Sequence, residues 1–260
     1  MTDSPTPEQI YARAKEEGRR RLGMPPLEQA ATGFIAGVTI VFGIVALGVV
    51  TSHIETDLGS GVATVFGAAA FGIGLVFLVV GRSELFTEDF FDPVAVAIDE
   101  RKGSTWVRLA RLWAATLILN LVGGSILVGV LTVEGALPAG SVETLVAIAE
   151  EFAAKGWAAT LARAVLAGAL ITLLSYLLNA TDSVTSRILL ALLVGFLLAL
   201  GPFDHVVVSA LHLLFGIWLS GNVSVGDLAQ NIALATAGNL VGGLALVTFS
   251  HSAQVKSARG

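Results

Sequence analysis

Apolar segments of about 20 residues recur along almost the whole 260-residue chain, and they limit what it can fold into. A segment of that length crosses the hydrocarbon core of a bilayer as one helix, since about 20 residues of helix span roughly 30 Å. Hydrophobic residues make up 55% of the sequence and charged residues only 13%, whereas soluble domains carry about 25% charged residues. The chain is therefore predicted to be an all-α integral membrane protein.

Six transmembrane helices account for the apolar segments, and the second and fifth of them are broken. The second begins near Gly61 and is interrupted at 81–89, before Pro93 and a short helix. The fifth, from Arg187 to Ser220, is too long for one ordinary crossing. Pro202 predicts an opening within it, because proline removes a backbone donor and clashes with the preceding turn. The unbroken spans are predicted at about 27–53, 112–133, 157–178 and 228–249.

The polar segments predict the domain organisation and the orientation. Residues 1–26 are interpreted as an amphipathic N-terminal helix on the surface, 27–250 as the transmembrane pore domain, and 251–260 as a cytoplasmic tail. Basic residues lie at the N-terminus, at 101–111, at Arg187 and in the tail, whereas the connection after the third span is expected to be an acidic loop. By the positive-inside rule, both termini are predicted to be cytoplasmic, in a multi-pass protein of the cell membrane.

Enzymatic and metal-binding classes find no support in the sequence. There are no cysteines, and the four histidines are scattered without an HExxH pattern or a comparable cluster. A membrane enzyme would need a nucleophile, a metal or a redox cofactor, and no such site is visible. We therefore expect no enzyme activity, no cofactor, no metal and no nucleic-acid partner, and transport becomes the predicted class.

An internal duplication points to the transport path. The pentapeptide Asn-Leu-Val-Gly-Gly occurs at 120–124 and again at 239–243. Thr87 in the first break precedes Asn120 by 33 residues, and His205 in the second break precedes Asn239 by 34. The two halves, about 27–133 and 157–250, therefore form an inverted repeat, because three crossings per half give opposite orientations. Irregular backbone at membrane depth is tolerated only inside protein or beside a cavity, so the breaks are predicted to mark the pore.

Three motifs resemble the formate/nitrite transporter family, in register over about residues 5–250. They are Ser83-Glu84-Leu85-Phe86-Thr87 after a glycine-rich span, Gly201-Pro202-Phe203-Asp204-His205 in the fifth span, and Gly238-Asn239 with Gly242-Gly243 in the sixth. The paired Asn-Pro-Ala boxes of aquaporins are absent. The resemblance implies an aquaporin-like protomer of six helices, with five protomers in a lipid-embedded homopentamer and a separate pore in each.

The resemblance also implies roles for individual residues. The loop threonine and the central histidine of the family correspond to Thr87 and His205, and the asparagine that supports the histidine corresponds to Asn239. Lys155 corresponds to the vestibule lysine that attracts anions. The apolar constrictions are implied at Leu85 and Phe86 in the loop, at Phe71 and Leu75 on one side of the pore, and at Leu198 on the other.

Ordinary structural roles remain open for these residues. His205 could donate a hydrogen bond to a backbone carbonyl that the helix break leaves unpaired, and Thr87 could bond backbone groups of its own loop. Lys155 could form a surface ion pair with Glu151. The chain also departs from the family pattern, with Gly168 and Ser209 in place of asparagines, Asp204 in place of glutamate, and an additional histidine, His212. His212 lies on the same helix face as His205, so either a second pore site or simple packing fits it.

The function predicted first is passage of a small monovalent anion of a weak acid, such as formate or nitrite. Because burying an unpaired charge is costly, the anion is expected to cross the apolar constrictions after protonation near His205. The alternative is a neutral or cationic solute such as ammonia, which the acidic pair Glu88-Asp89 and the missing asparagine at Gly168 favour. The sequence leaves open the identity of the solute, the direction of flux, and the choice between channel and proton-coupled transport.

Overall fold

The computed structural model describes residues 4–257, and these are folded almost entirely into helices. A 3₁₀-helix at Phe86–Phe90 lies between α3 and α4, and a π-helical segment at Gly242–Thr248 joins α10 to α11. The α-helices are α1 (Pro7–Leu22), α2 (Pro26–Leu58), α3 (Ser60–Val80), α4 (Asp92–Glu100), α5 (Gly103–Leu131), α6 (Ser141–Ala154), α7 (Trp157–Leu178), α8 (Val184–Leu200), α9 (Val206–Leu219), α10 (Val225–Val241) and α11 (Phe249–Ser257).

The long apolar helices confirm the all-α membrane fold. Helices α2, α3, α5 and α7, together with the continuous helix Val225–Ser257, are long and apolar enough to cross a bilayer. Helices α8 and α9 are shorter, with 17 and 14 residues, and the break at 201–205 separates them. Taken as one broken crossing, α8 and α9 complete an arrangement compatible with the six predicted spans.

Both breaks arise from local backbone chemistry. After α3 ends, Arg82 takes a left-handed conformation with φ of 54°, which turns the chain back into the protein. Pro93 lies in the first turn of α4, where a backbone N–H has no intrahelical acceptor and its absence therefore costs no hydrogen bond. In the second break, α8 stops at Gly201 ahead of Pro202, and His205 forms the N-cap of α9.

Glycines allow equivalent helix pairs in the two halves to pack closely. A Cβ atom on Gly37 of α2 would lie 1.9 Å from the carbonyl oxygen of Asn120 in α5. In the second half, a Cβ atom on Gly168 of α7 would lie 2.1 Å from the carbonyl oxygen of Asn239 in α10. Small residues are therefore required at both crossings, as is common where membrane helices approach each other.

Helix α1 packs against the membrane domain and brings the described ends of the chain together. Ile10, Tyr11 and Ala14 are buried, so the apolar face of this amphipathic helix is covered by protein. Gly18 lies against the backbone of Asp92 at the start of α4. Ser252 in α11 donates a hydrogen bond to the Tyr11 hydroxyl over 3.4 Å. Helices α1 and α11 therefore lie at the same end of the molecule.

The connection between α5 and α7 contains a helix and is not a simple acidic loop, which corrects the expectation from sequence. Helix α6 buries Ser141, Leu145 and Ala149, which recur every four residues along one face. This face packs against α2 and α9 at the end of the molecule opposite α1. The glutamates of α6 lie on its other faces, and their charge dominated the sequence pattern.

Candidate transport site

The two breaks meet inside the membrane domain. Thr87 from the 3₁₀-helix and His205 from the N-terminus of α9 are 118 positions apart, and their Oγ1 and Nε2 atoms lie 2.6 Å apart. Thr87 is 0% exposed and His205 is 1% exposed. The residues that the duplicated spacing singled out are therefore brought into direct contact.

The backbone of α9 determines which nitrogen of His205 carries the proton. The Val208 N–H donates a hydrogen bond to Nδ1 over 3.4 Å, so Nδ1 must hold a free lone pair. On this hydrogen-bond network the neutral ring carries its proton on Nε2, which donates to the Thr87 hydroxyl oxygen. The hydroxyl hydrogen of Thr87 is then available to an acceptor.

Asn239 holds the backbone on both sides of His205. Its Oδ1 accepts from the Val206 N–H at 3.0 Å, and its Nδ2 donates to the Asp204 carbonyl at 3.0 Å and the Ala164 carbonyl at 2.8 Å. The resemblance implied that Asn239 supports the histidine, without saying through which atoms. In the structure Asn239 bonds the peptide groups before and after His205 and makes no hydrogen bond to its ring.

Asn120 does the same for the first break. Its Oδ1 accepts from the Phe86 N–H at 3.0 Å, and its Nδ2 donates to the carbonyls of Glu84 at 3.0 Å and Gly33 at 2.8 Å. The two asparagines of the repeated pentapeptide thus make matching sets of three bonds. Asn120 was not among the site residues expected from sequence, although the duplication was the signal that could have identified it.

One cavity opens on the α6 side of the Thr87–His205 contact. We call it the lysine cavity; its volume is about 470 Å³, and Phe152, Lys155, Asp204 and His212 are among its lining residues. Phe71 and Leu198 also line it. These two residues therefore border the same cavity, whereas Leu75 does not line it.

Lys155 lies in this cavity between α6 and α7, outside the membrane-spanning helices. Its Nζ atom donates to the Asp204 carboxylate, and its side chain is only 10% exposed. The surface pair with Glu151 that the sequence left open does not form, because Glu151 pairs with Arg163 at 3.6 Å. Burial lowers the pKa of Lys155, and the hydrogen bond and charge of Asp204 partly oppose that effect.

A second cavity of about 550 Å³ lies at the α1 end, and we call it the arginine cavity. Arg20 and Arg21 of α1 both pair there with Glu84 of the first break. Arg21 also reaches Asp89 at 3.2 Å and Asp92 at 3.8 Å. Sequence reasoning missed these ion pairs, since they join segments more than 60 positions apart.

Packed apolar side chains separate the two cavities. Leu75, Leu85 and Phe86 are at most 2% exposed and belong to one buried cluster. None of the three is among the residues that line the lysine or the arginine cavity, and neither are Thr87 and His205. A solute passing between the cavities must displace this packing beside the Thr87–His205 contact.

Between residues 4 and 257, no group of three or more His, Cys, Asp or Glu side chains is placed to hold a metal ion. The described residues at the site interact through hydrogen bonds, ion pairs and apolar packing. An inverted pair of broken helices that meet between two cavities defines a membrane transport protein.

The formate/nitrite transporter family model matches residues 8–253, and the chain belongs to this family of channels and transporters, which are not enzymes. The inner membrane protein YfdC of Escherichia coli (strain K12) is 23% identical, over 95% of this chain and 78% of its own. A probable formate transporter of Methanothermobacter thermautotrophicus is 28% identical, over 82% and 84%. The formate channel BtFdhC of Bacillus thuringiensis is 25% identical, over 95% and 94%.

Solved structures share the fold. An FNT family ion channel superposes with a TM-score of 0.78 at 18% identity, covering 94% of this chain and 96% of that one. A pentameric formate channel with formate bound superposes with a TM-score of 0.68 at 21% identity, covering 91% and 97%. At these identities the likeness is evidence for the fold alone.

Proposed function

We propose that this chain is a channel or transporter for small monovalent anions of weak acids, of the size of formate or nitrite, with proton exchange at His205. The observation that carries the proposal is the buried Thr87–His205 contact, which lies between the two cavities. It is the point at which a solute would leave one aqueous cavity and meet polar hydrogens within apolar packing.

The surroundings favour a transient negative charge at this point. Helix α9 begins at His205, so the positive end of its dipole lies beside the imidazole. The Nε2–H of His205 and the hydroxyl of Thr87 are donors that an anion can accept. The Lys155 ammonium, which is paired with Asp204 in the neighbouring cavity, is a further hydrogen-bond donor before this point.

Protonation is what lets the solute continue. An unpaired anion in the apolar cluster of Leu75, Leu85 and Phe86 would be strongly disfavoured, whereas the neutral acid would not. A doubly protonated His205 ring would lose the bond from the Val208 N–H, because Nδ1 could no longer accept it. The charged imidazole is therefore favoured only while an anion pairs with it. A proton can then pass from the charged ring to the anion, which returns the ring to its neutral form.

The named relatives support this class of solute and a pentameric assembly. A probable formate transporter and a formate channel are among them, and one solved structure of the same fold is a pentameric formate channel with formate bound. Exposed apolar side chains on α2 and α3, such as Phe42, Phe66 and Phe77, offer surfaces for lipid and for neighbouring protomers. We therefore propose a homopentamer in the cell membrane.

The orientation is proposed from the distribution of basic residues. Among residues 4–257, only Lys155 and Arg163 are basic residues at the α6 end, and the others lie toward the α1 end. By the positive-inside rule, the α1 end and both termini are cytoplasmic. The arginine cavity then opens to the cytoplasm and the lysine cavity to the outside.

The two observations that favoured ammonia do not carry that alternative. The space beside Gly168 is filled by the backbone of Asn239, so this position packs helices and lacks room for a pore side chain. Asp89 is buried against Arg21, and Glu88 shares the arginine cavity with Arg20 and Arg21. The Asp89 carboxylate is therefore already paired with a cation, and two arginines occupy the cavity that Glu88 lines.

Uptake into proteoliposomes tests the proposed function. We expect the purified chain to accelerate entry of formate and nitrite, and to do so more strongly when the outer solution is more acidic than the lumen. Ammonium should enter no faster than into protein-free vesicles. Uptake of ammonium alone would overturn the proposal.

A further inference from the structure

We propose that His212 is a second binding residue for the weak-acid anion, located in the lysine cavity and reached before His205 by a solute that enters from that side. The inference rests on the proposed function, because its ligand belongs to the same class. It adds a site on a residue that the central Thr87–His205 contact does not use.

The position of His212 places it on the path. It lies seven residues after His205 in α9, which is two turns and about 10 Å along the same helix face. Helix α9 runs from the second break toward the α6 end, where it packs against α6. His212 lines the lysine cavity, whereas His205 lies beyond its inner end.

The imidazole of His212 has unused hydrogen-bonding capacity. Its side chain is 2% exposed, and its Nδ1 atom has no hydrogen-bond partner among the described residues. Buried polar atoms are nearly always paired in folded proteins, so an unpaired ring nitrogen beside a cavity calls for a partner from within it. With its proton on Nδ1, the ring donates to a carboxylate or nitrite oxygen.

The Phe152 ring lies between His212 and Lys155 and contacts both. The Phe152 ring stacks on His212 with centroids 5.5 Å apart and an interplanar angle of 25°. The Lys155 ammonium lies 3.8 Å from the centroid of the same Phe152 ring. Lysine, phenylalanine and histidine thus follow one another along one wall of the cavity, and the Phe152 ring packs against one face of the imidazole.

The charges of the cavity explain why a directional donor matters there. Lys155 is paired with Asp204, Arg163 is paired with Glu151, and Glu55 also lines the cavity. Two cationic and three anionic side chains therefore line the cavity, so its net charge does not by itself attract an anion. The neutral N–H group of His212, next to Lys155, adds affinity for an anion without adding charge. Unlike Lys155, it is not engaged by the Asp204 carboxylate.

A titration of the whole protein tests the site without requiring transport. The chain is labelled with ¹⁵N histidine in lipid nanodiscs, and sodium formate is added against sodium chloride at equal ionic strength. We expect the His212 ring nitrogens, assigned by their loss in His212→Gln, to shift with formate until saturation, and those of His53 to stay unchanged. A His212 signal that ignores formate, or that responds equally to chloride, would overturn the proposal.

Flux measurements give a second readout. His212→Leu should raise the half-saturating formate concentration for entry from the lysine-cavity side roughly tenfold, as expected for the loss of one hydrogen bond to a charged group. Flux at saturating formate should change little. His212→Gln, which keeps a donor, should restore most of the affinity, and His53→Leu, at an exposed histidine of the same end, should behave as wild type. An unchanged half-saturating concentration in His212→Leu would contradict the inference.

The two readouts separate this inference from the proposed function. If the wild-type chain transports formate while His212 neither responds to it nor affects half-saturation, the second site is wrong and the proposed function stands. If the wild-type chain transports no formate, the proposed function is wrong, and the titration alone decides whether His212 binds the anion.

Discussion

The hydroxyl of Thr87 and the imidazole of His205 form a buried polar pair surrounded by leucine and phenylalanine side chains. The imidazole is the donor of their hydrogen bond through Nε2–H, and the hydroxyl oxygen of Thr87 is the acceptor. The pair is sensitive to single-atom changes, since a buried donor that loses its partner is strongly disfavoured.

Thr87→Val removes that acceptor while keeping the shape of the side chain. We expect weak-acid flux to fall about tenfold, which corresponds to roughly 1.4 kcal/mol in the barrier and to one lost hydrogen bond. Thr87→Ser should keep most of the flux. Thr132→Val, at a threonine that bonds only its own helix end, is the matched control in the same liposome assay. Wild-type flux in Thr87→Val would show that the contact is structural.

Sequence reasoning found some of these residues and assigned others the wrong contacts. Thr87 and His205 followed from a duplicated spacing, because a repeat places equivalent residues at equivalent depth. The contacts of Lys155 and Asn239 were not predictable in the same way. Spacing indicates which residues share an element, but the choice of Asp204 as the partner of Lys155 depends on how α6, α7 and the second break pack.

Helix α1 is held to the membrane domain by ion pairs as well as by its apolar face. Although burial favours the neutral acid, the hydrogen bond from Arg20 and the charges of Arg21 and Arg20 lower the pKa of Glu17 to about 2. Arg21 in turn joins α1 to carboxylates of the first break and of α4. The helix thereby covers the end of the arginine cavity.

Arg21→Gln should weaken this attachment strongly. It would leave Glu84, Asp89 and Asp92 buried without their shared cation, and breaking such a group typically costs about 3–5 kcal/mol. A lower melting temperature in mild detergent is the expected result. Arg19→Gln, at an exposed arginine of the same helix, is the control and should melt with the wild type. Equal melting of both variants would show that α1 is held by its apolar face alone.

The long helices were predictable and the short irregular elements were not. A run of apolar residues indicates a span, so α3 and α7 begin and end near the predicted residues. Helix α2 ends at Leu58 instead of near 53, and α5 begins at Gly103 instead of near 112, because polar and basic residues continue these helices beyond their apolar runs. Helix α6 was missed because three buried positions among glutamates give a weak pattern. The π-helical segment was also missed, although Thr248 within it donates to the Phe90 carbonyl at 2.6 Å and so holds the first break.

At the scale of the whole molecule, the two halves repeat one design in opposite orientations. Each half packs its first helix on its third through a glycine, and each third helix holds its break through an asparagine. Tyr11 near one described end of the chain contacts Ser252 near the other. Both ends therefore lie on the same side of the membrane, and the chain between them crosses the bilayer an even number of times. The repeat was visible in the sequence, whereas the α1 contacts that close one end were not.

Cysteine labelling checks the orientation directly, because the chain contains no cysteine of its own. In intact cells, an impermeant maleimide should label Glu134→Cys, at an exposed position of the α6 end, and should miss Lys102→Cys, at an exposed position of the α1 end. Permeabilised cells, in which both should react, provide the control. The reverse pattern in intact cells would place both termini outside.

The central claim is that the solute exchanges a proton at His205, and pH-dependent formate flux in proteoliposomes tests it most directly. We expect His205→Phe to assemble normally and to abolish flux. His205→Asn keeps a polar contact to Thr87 but cannot exchange a proton, so any remaining flux should no longer follow the pH gradient. A correctly folded His205→Phe protein that carries wild-type flux with unchanged pH dependence would show that the histidine is structural and that the proposed mechanism is wrong.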